Sequence, residues 1–458
     1  MSLQDQLKFN VHRLFALRFS TAFMVVVPVM VPLYQSLGLS MQEIFITEAI
    51  FSLVVCFGEV PSGYLADLLG RRKVLIFGSL VWAAGNLYLP FADGFWSLAL
   101  YEATLGIAVA MVSGADIALA YDSELALKGS QNRQRQLVGK MFSVGYVSVA
   151  LSCALASVLL YWGDLHLVAR AQAVAGLLPL LVVWGLVEAP CHEDAMVLPT
   201  ESPAQSRSAW RQHAANFVKV LRVLWSTNPL LRYVCLAACF IPTIGMCTFL
   251  ILPKVWEYHA VPLTYFGWIA CASAIVAAFS SRLTHRVEDW IGSRWMLVLI
   301  GCVPTIGLIG LAGLPLGGAL LMAASLTISR SMMAVLLSEA LNRRLASGYR
   351  ATAMSLTSFG SRVSFVCIGP PVGFALDVLT LPQVLLLVAL LSTLICVAFL
   401  LPLGLSVNSA LQANEADHRN AADADAVADQ VQVYQPKVLQ EQDDLNAVDA
   451  DEKLVVMD

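Results

Sequence analysis

The chain has 458 residues, of which 58% are hydrophobic and 13% charged, with a mean hydropathy of +0.72. Soluble domains average about 25% charged residues, and a soluble fold of this length needs more polar surface than this one carries. The net charge of −4 offers no basic excess for a nucleic-acid partner and leaves the lipid bilayer as the expected surroundings.

A bilayer core of about 30 Å needs roughly 20 apolar residues per helical span. The first apolar run, from about Leu14 to Leu39, is too long for a signal-peptide core and has no small-x-small cleavage pattern after it, so it reads as a span. Runs of this kind centre on Met24, Leu53, Ala83, Val109, Val149 and Leu178. After a polar segment they resume at Phe240, Ala272, Thr305, Ala324, Ser364 and Leu391. The expected fold is an all-α membrane protein of twelve transmembrane helices in two six-helix bundles, 1–187 and 229–405. A linker, 188–228, joins them and ends in a basic amphipathic stretch, 210–225, expected to lie along the membrane interface. A tail, 406–458, holds twelve Asp/Glu against three Lys/Arg and reads as a solvated, disordered appendage.

The breaks between runs alternate in charge. One set holds Arg71, Arg72 and Lys73; Lys128, Arg133, Arg135 and Lys140; Arg207, Arg211, Lys219 and Arg222; Arg282, Arg286 and Arg294; and Arg343, Arg344 and Arg350. The other set has only Arg170 and Lys254 nearby. Positive charge marks the cytoplasmic side, so both termini are expected there. Trp96, Trp162 and Trp256 near one face, and Trp225, Trp290 and Trp295 near the other, are expected to form interfacial belts. Nine of the ten cysteines fall in apolar runs and read as packing residues. Cys191, beside His192, Glu193 and Asp194, lacks partner spacing, so no metal site and no cofactor are expected.

The halves carry a faint repeat. Asp67-Leu68-Leu69-Gly70-Arg71-Arg72 follows the second run, and Asp289-Trp290-Ile291-Gly292-Ser293-Arg294 follows the eighth. Ser123-Glu124 ends the fourth run and Ser338-Glu339 the tenth. Repeated halves in a membrane protein point to alternating access around a site at their interface.

The stretch Glu59-Val60-Pro61-Ser62-Gly63-Tyr64-Leu65-Ala66-Asp67-Leu68-Leu69-Gly70-Arg71-Arg72-Lys73 resembles the G-x-L-A-D-x-x-G-R-R/K signature loop of major facilitator superfamily transporters. Its Glu-x-Pro-Ser-Gly lead-in resembles a bacterial branch of that superfamily. So do Ser113-Gly114-Ala115-Asp116, Ala120-Tyr121-Asp122-Ser123, and Asn342-Arg343-Arg344 with the segment from Arg350 to Leu356. The resemblance covers about Leu14 to Leu403. It implies a carrier in the bacterial inner membrane in which Gly63, Asp67, Gly70, Arg71 and Arg72 gate the cytoplasmic side. Gly63 is expected to let two helices approach closely, Gly70 to turn the chain, and Asp67 to meet a helix N-terminus or an Arg. A turn with positive-inside anchors is the plainer alternative.

Ionisable residues within spans are costly and mark functional candidates. By helix rise, Arg330 and Arg362 lie roughly 18–20 Å from the cytoplasmic ends and Asp116 roughly 15 Å. In the family, spans one, four, seven and ten line the central cavity, which would set Asp116 and Arg330 on opposing halves for substrate or proton binding. Arg18, shallower, could pair with Asp116 or Asp122, and Arg18 and Asp122 read as structural ion-pair candidates. Glu59 reads either as a structural partner for Arg362 or as a proton carrier. Glu48 and Glu102, in the outer thirds, read as less informative.

No G-x-x-x-x-G-K-[ST] loop is present, so an ATP-driven pump is not expected, and an enzyme is not expected either. The reading is a proton-coupled secondary transporter of a small organic molecule, acting as a monomer. Export is favoured on branch resemblance, although span five lacks the Gly-Pro-rich pattern of drug antiporters. An importer, or a receptor or channel without carrier activity, is the alternative.

Overall fold

Twelve helices long and apolar enough to cross a membrane, and no strand, make up the described residues of the computed structural model: 3–127, 131–189, 229–344 and 347–403. In chain order, the first six spans are Asp5–Ser36, Met41–Glu59, Arg71–Phe91, Phe95–Ala126, Gly139–Trp162 and Leu165–Val183. The second six are Leu231–Tyr258, Leu263–Ile291, Trp295–Gly313, Leu316–Leu341, Ala353–Val378 and Leu381–Leu403. All but the last residue of span 12 lie within one compact unit, Met1–Pro402. The linker beyond Ala189, with its expected interfacial helix, and the acidic tail lie outside the described residues.

Local chemistry starts these helices. Ser40 and Glu43 form a reciprocal capping box at the head of span 2, Thr380 and Gln383 form another at span 12, and Asp164 accepts from Leu167 N–H at span 6. The repeated loops close in one conformation: Gly70 has φ 93° and ψ 144°, Gly292 φ 82° and ψ 148°. Both are left-handed positions that favour glycine, so each half turns between adjacent spans in the same way.

Spans 1 and 4 are broken within their apolar stretches. Span 1 is helical to Ala22 and resumes through Val27–Val29 into Met30–Ser36. Backbone groups freed at such a break need partners, because lipid supplies none. Here the Ser148 hydroxyl donates to Phe19 O at 2.6 Å, and Val26 N–H donates to Gln172 Oε1 at 3.3 Å. Span 4 breaks at Ser113 and Gly114, the latter at φ 85°, and restarts as Ala115–Ala126.

Two seams join the halves, span 2 against span 11 and span 5 against span 8. Small residues make them close, as expected where lipid gives no hydrophobic drive to helix association. A side-chain carbon on Gly267 of span 8 would fall 2.1 Å from Cys153 O of span 5. At the face opposite the arginine-rich loops, three further contacts cross between halves. Met41 and Gln42 N–H each donate to an Asp377 carboxylate oxygen at 2.8 Å, setting a negative charge on the N-terminus of span 2. Lys254 Nζ donates to Gln35 Oε1 at 3.2 Å, and Trp268 N–H to Ser157 Oγ at 2.9 Å.

Trp96 and Trp162 are exposed at this face and Trp290 and Trp295 at the other. Trp256 departs from the expected belt: it is 4% exposed, packed into the hydrophobic core. Its place near the end of span 7 matched the interface in depth, but its helix face points inward. Trp225 lies outside the described residues.

Candidate substrate and proton site

Span 4's break creates a helix start partway along an apolar span, and Asp116 stands in its first turn. The Asp116 side chain is 2% exposed, and its Oδ1 accepts from Ile117 N–H at 2.7 Å. Its Oδ2 is buried with no hydrogen-bond partner, and the nearest cation, Arg18 Nη1 of span 1, stands off at 3.7 Å. This is an ion pair without a hydrogen bond, between a carboxylate inside the bundle and an arginine whose side chain is 32% exposed. The Arg18 guanidinium also lies 5.4 Å from the centroid of the Phe142 ring on span 5, a cation–π contact.

Arg330 is exposed although it lies mid-span on span 10. Its stem lies against Gly245 of span 7, where a side-chain carbon would come within 2.8 Å of Arg330 Cδ. Its ionisable neighbour is Tyr146 of span 5, in the other half. Neighbours from both halves place its guanidinium in the space between them, and no carboxylate pairs with it among the described residues. One helical turn of span 5, from Phe142 to Tyr146, thus stands between Arg18 and Arg330. The structure does not bring Arg330 and Asp116 into direct contact.

Glu59 and Arg362 meet across the span 2–span 11 seam at 3.5 Å, each about a quarter exposed. Asp122 pairs with Arg71, not with Arg18, and Arg71 Nη1 also donates to Ala118 O at 2.8 Å. Both contacts run from span 3 to span 4, inside the first half. Glu188, at the start of the linker, accepts from Arg71 N–H and Arg72 N–H, both at 2.9 Å. It places a carboxylate on the helix start of span 3; Asp67 lies on the helix Met41–Leu69, and its side chain, with the contact expected of it, is outside the described part.

Gly63 corrects the expectation of a close helix approach, because no described atom would lie within 4 Å of a side-chain carbon there. The approach is made one residue earlier on the helix, about 100° around it. The Ser62 hydroxyl donates to Ala110 O at 2.6 Å, and a side-chain carbon on Gly58, one turn before, would meet Ala110 Cβ at 2.7 Å.

Sequence reasoning passed over Asn10, Asp377 and the two span breaks. Pro28 and Pro32 in span 1 were the available signal for one break, and Gly114 for the other. Asn10 is fully buried and makes three bonds: Oδ1 accepts from Val187 N–H at 3.0 Å, and Nδ2 donates to Val187 O and Ser123 Oγ, both at 2.9 Å. Asn10→Ala strands two backbone groups and is expected to cost about 2–4 kcal/mol. A lower thermal-unfolding midpoint in detergent checks it. At the arginine-rich end, His285 Nδ1 lies 3.3 Å from Glu339 Oε2 and 3.9 Å from Glu288 Oε2, joining spans 8 and 10.

The signature-loop geometry, the twelve spans and the paired halves converge with a direct match: the Major Facilitator Superfamily profile aligns to residues 14–370. The chain belongs to the Major Facilitator Superfamily. The inner membrane transport protein YajR of Escherichia coli K12 is 25% identical over 370 residues, covering 78% of this chain and 74% of that one. Two solved structures share the major facilitator fold. A bacterial homologue of the human lysosomal transporter Spinster, inward-facing and unoccupied, matches with a TM-score of 0.66 at 14% identity, covering 89% of this chain and 98% of that one. The D-xylose-proton symporter matches with a TM-score of 0.64 at 13% identity, covering 85% and 96%. The superfamily's members here are carriers, which makes this chain a multi-pass membrane transport protein.

Proposed function

We propose that this carrier couples proton movement to transport of a small organic molecule bearing an anionic group, by alternating access between its two halves. The observation that carries the reading is Asp116: a buried carboxylate with one oxygen unpartnered and a guanidinium just beyond hydrogen-bond reach. Such a pair is poised to exchange its proton, since protonation removes a buried charge and frees Arg18. One of the structural relatives is a proton symporter, which agrees with coupling to protons. Arg330, without a carboxylate partner among the described residues, is the candidate holder of the substrate's anionic group.

The arginine-rich loops are taken as cytoplasmic, with both termini on that side, and the chain as a monomer of the bacterial inner membrane. In this orientation the cross-half bonds at the opposite face close the extracellular side, the inward-facing arrangement. The Arg71–Asp122 and Glu188 contacts stiffen the first half at the cytoplasmic face, while Glu59–Arg362 joins the halves and is broken and remade in the cycle. Export rests on the branch resemblance. Uptake is the second reading, and accumulation in right-side-out against everted vesicles decides between them. A receptor or channel on the same fold would show no counterflow.

The test is ligand-induced thermal stabilisation of the purified protein across a panel of metabolites, chelators and drugs. An anionic ligand is expected to raise the midpoint, and Arg330→Ala to weaken its binding by roughly 10-fold or more. A ligand bound equally well by Arg330→Ala removes Arg330 from the site.

A further inference from the structure

A second set of buried ionisable groups lies in the first half, toward the face opposite the arginine-rich loops. Glu48 of span 2 and Glu102 of span 4 are 7% and 4% exposed. Each lies seven residues after its helix start, Met41 and Phe95, so both sit about 10 Å in from the same face. Tyr34 of span 1, fully buried, donates its hydroxyl to Glu102 Oε1 at 2.5 Å. Tyr101 is 1% exposed, interacts electrostatically with both carboxyls, and has a buried hydroxyl with no partner.

No Lys, Arg or His pairs with either carboxyl among the described residues. Span 11, packed on span 2, brings Arg362 and Asp377, but Arg362 is engaged by Glu59 and Asp377 by Met41 and Gln42 N–H. Span 3, packed on both helices, ends its helix at this face with Tyr88 and carries its basic residues at the opposite end.

We propose that Glu48 and Glu102 together bind one exchangeable proton, and that its binding is linked to closure of the face above them. Two carboxylates in apolar surroundings with no cation to neutralise them cannot both be ionised. A single shared proton leaves Glu102 as the acceptor of the Tyr34 bond, which is stronger to a charged oxygen than to a neutral one. The orphaned Tyr101 hydroxyl supplies a second donor beside the pair. The link to closure runs through one residue: Gln35, next to Tyr34, accepts from Lys254 of span 7 across the halves. Loss of the shared proton sets two like charges beside the Tyr34 bond, and their repulsion loosens the packing of the outer part of span 1. The linkage deepens the proton-coupled reading and rests on it, whereas the proton itself does not.

Difference infrared spectroscopy of the full-length protein in lipid bilayers, without substrate or gradient, reads the proton directly. A protonated-carboxyl band sensitive to deuterium exchange is expected at neutral pH and is lost in the double variant Glu48→Gln, Glu102→Gln. Tyr34→Phe keeps both carboxyls, guards against misfolding of the double variant, and is expected to move the band in frequency without removing it. Lys254→Gln, at a residue held by Gln35 and Glu257 and not paired with either carboxyl, is expected to move the pH at which the band disappears by about one unit, because coupling between sites is reciprocal. A band identical in the double variant, unmoved in Tyr34→Phe, or visible only after sodium is removed overturns the proton site, the last favouring a metal cation. An unmoved midpoint in Lys254→Gln overturns the link to closure. A band that behaves as expected in a protein that never responds to a proton gradient leaves this site standing and removes the proton-coupled reading instead.

Discussion

Asp116→Asn is expected to abolish accumulation driven by a pH gradient while sparing substrate counterflow. The change is isosteric, so it tests charge rather than packing. The wild-type Asp116 side chain is 2% exposed and has one oxygen without a hydrogen bond, so its ionised form depends on Arg18 at 3.7 Å. An amide neither takes up nor releases a proton in this range, which removes the step that would tie the two halves' exchange to the gradient. Arg18 tolerates the loss of its counter-charge, being one-third exposed and stacked on Phe142. Counterflow needs no net proton movement and continues. Proteoliposomes with an imposed gradient, compared with preloaded vesicles at equal pH, measure both. A fall in gradient-driven accumulation of about tenfold or more is expected, within the range of coupling free energies. Full transport by the variant at every imposed gradient would exclude Asp116 as the proton carrier.

Gly267→Ala is expected to push the halves apart at the span 5–span 8 seam. The added carbon would fall 2.1 Å from Cys153 O and 2.6 Å from Ser157 Oγ. The first of these atoms is backbone in the middle of a helix, so no change of rotamer relieves the clash. Span 8 has to withdraw, taking with it the Trp268 N–H bond to Ser157 Oγ. Overpacking of this kind costs about 1–3 kcal/mol, enough to shift the balance between the two access states by roughly 5- to 150-fold. Distance measurements between labels on the outer ends of spans 5 and 8 would show a longer separation in the variant. An unchanged distance and unchanged transport would show that the seam yields without consequence.

Hydropathy made the twelve spans readable because it is a property of each segment alone, independent of its neighbours. The glycines at 70 and 292 were readable for a related reason: a sharp reversal between adjacent spans is a local demand on the backbone. Contacts that depend on helix rotation were less accessible. Gly63 and Ser62 differ by one position, yet only the latter faces span 4. Trp256 has interfacial depth but an inward orientation. Contacts that depend on how bundles assemble were not legible at all. Asp377 holds backbone groups more than 300 residues away, and nothing near it in the chain announces that. Glu48 and Glu102 were visible as charges within spans, but their common depth and the two tyrosines beside them emerge only when spans 1, 2 and 4 are packed together.

The contact between Asn10 and Val187 spans almost the whole first half of the chain. During biosynthesis it cannot form until residue 187 has left the ribosome, 177 positions after its partner. At about 5–20 residues per second, roughly 9–35 s separate the synthesis of the two partners. The first bundle is therefore sealed by its own last stretch of polypeptide.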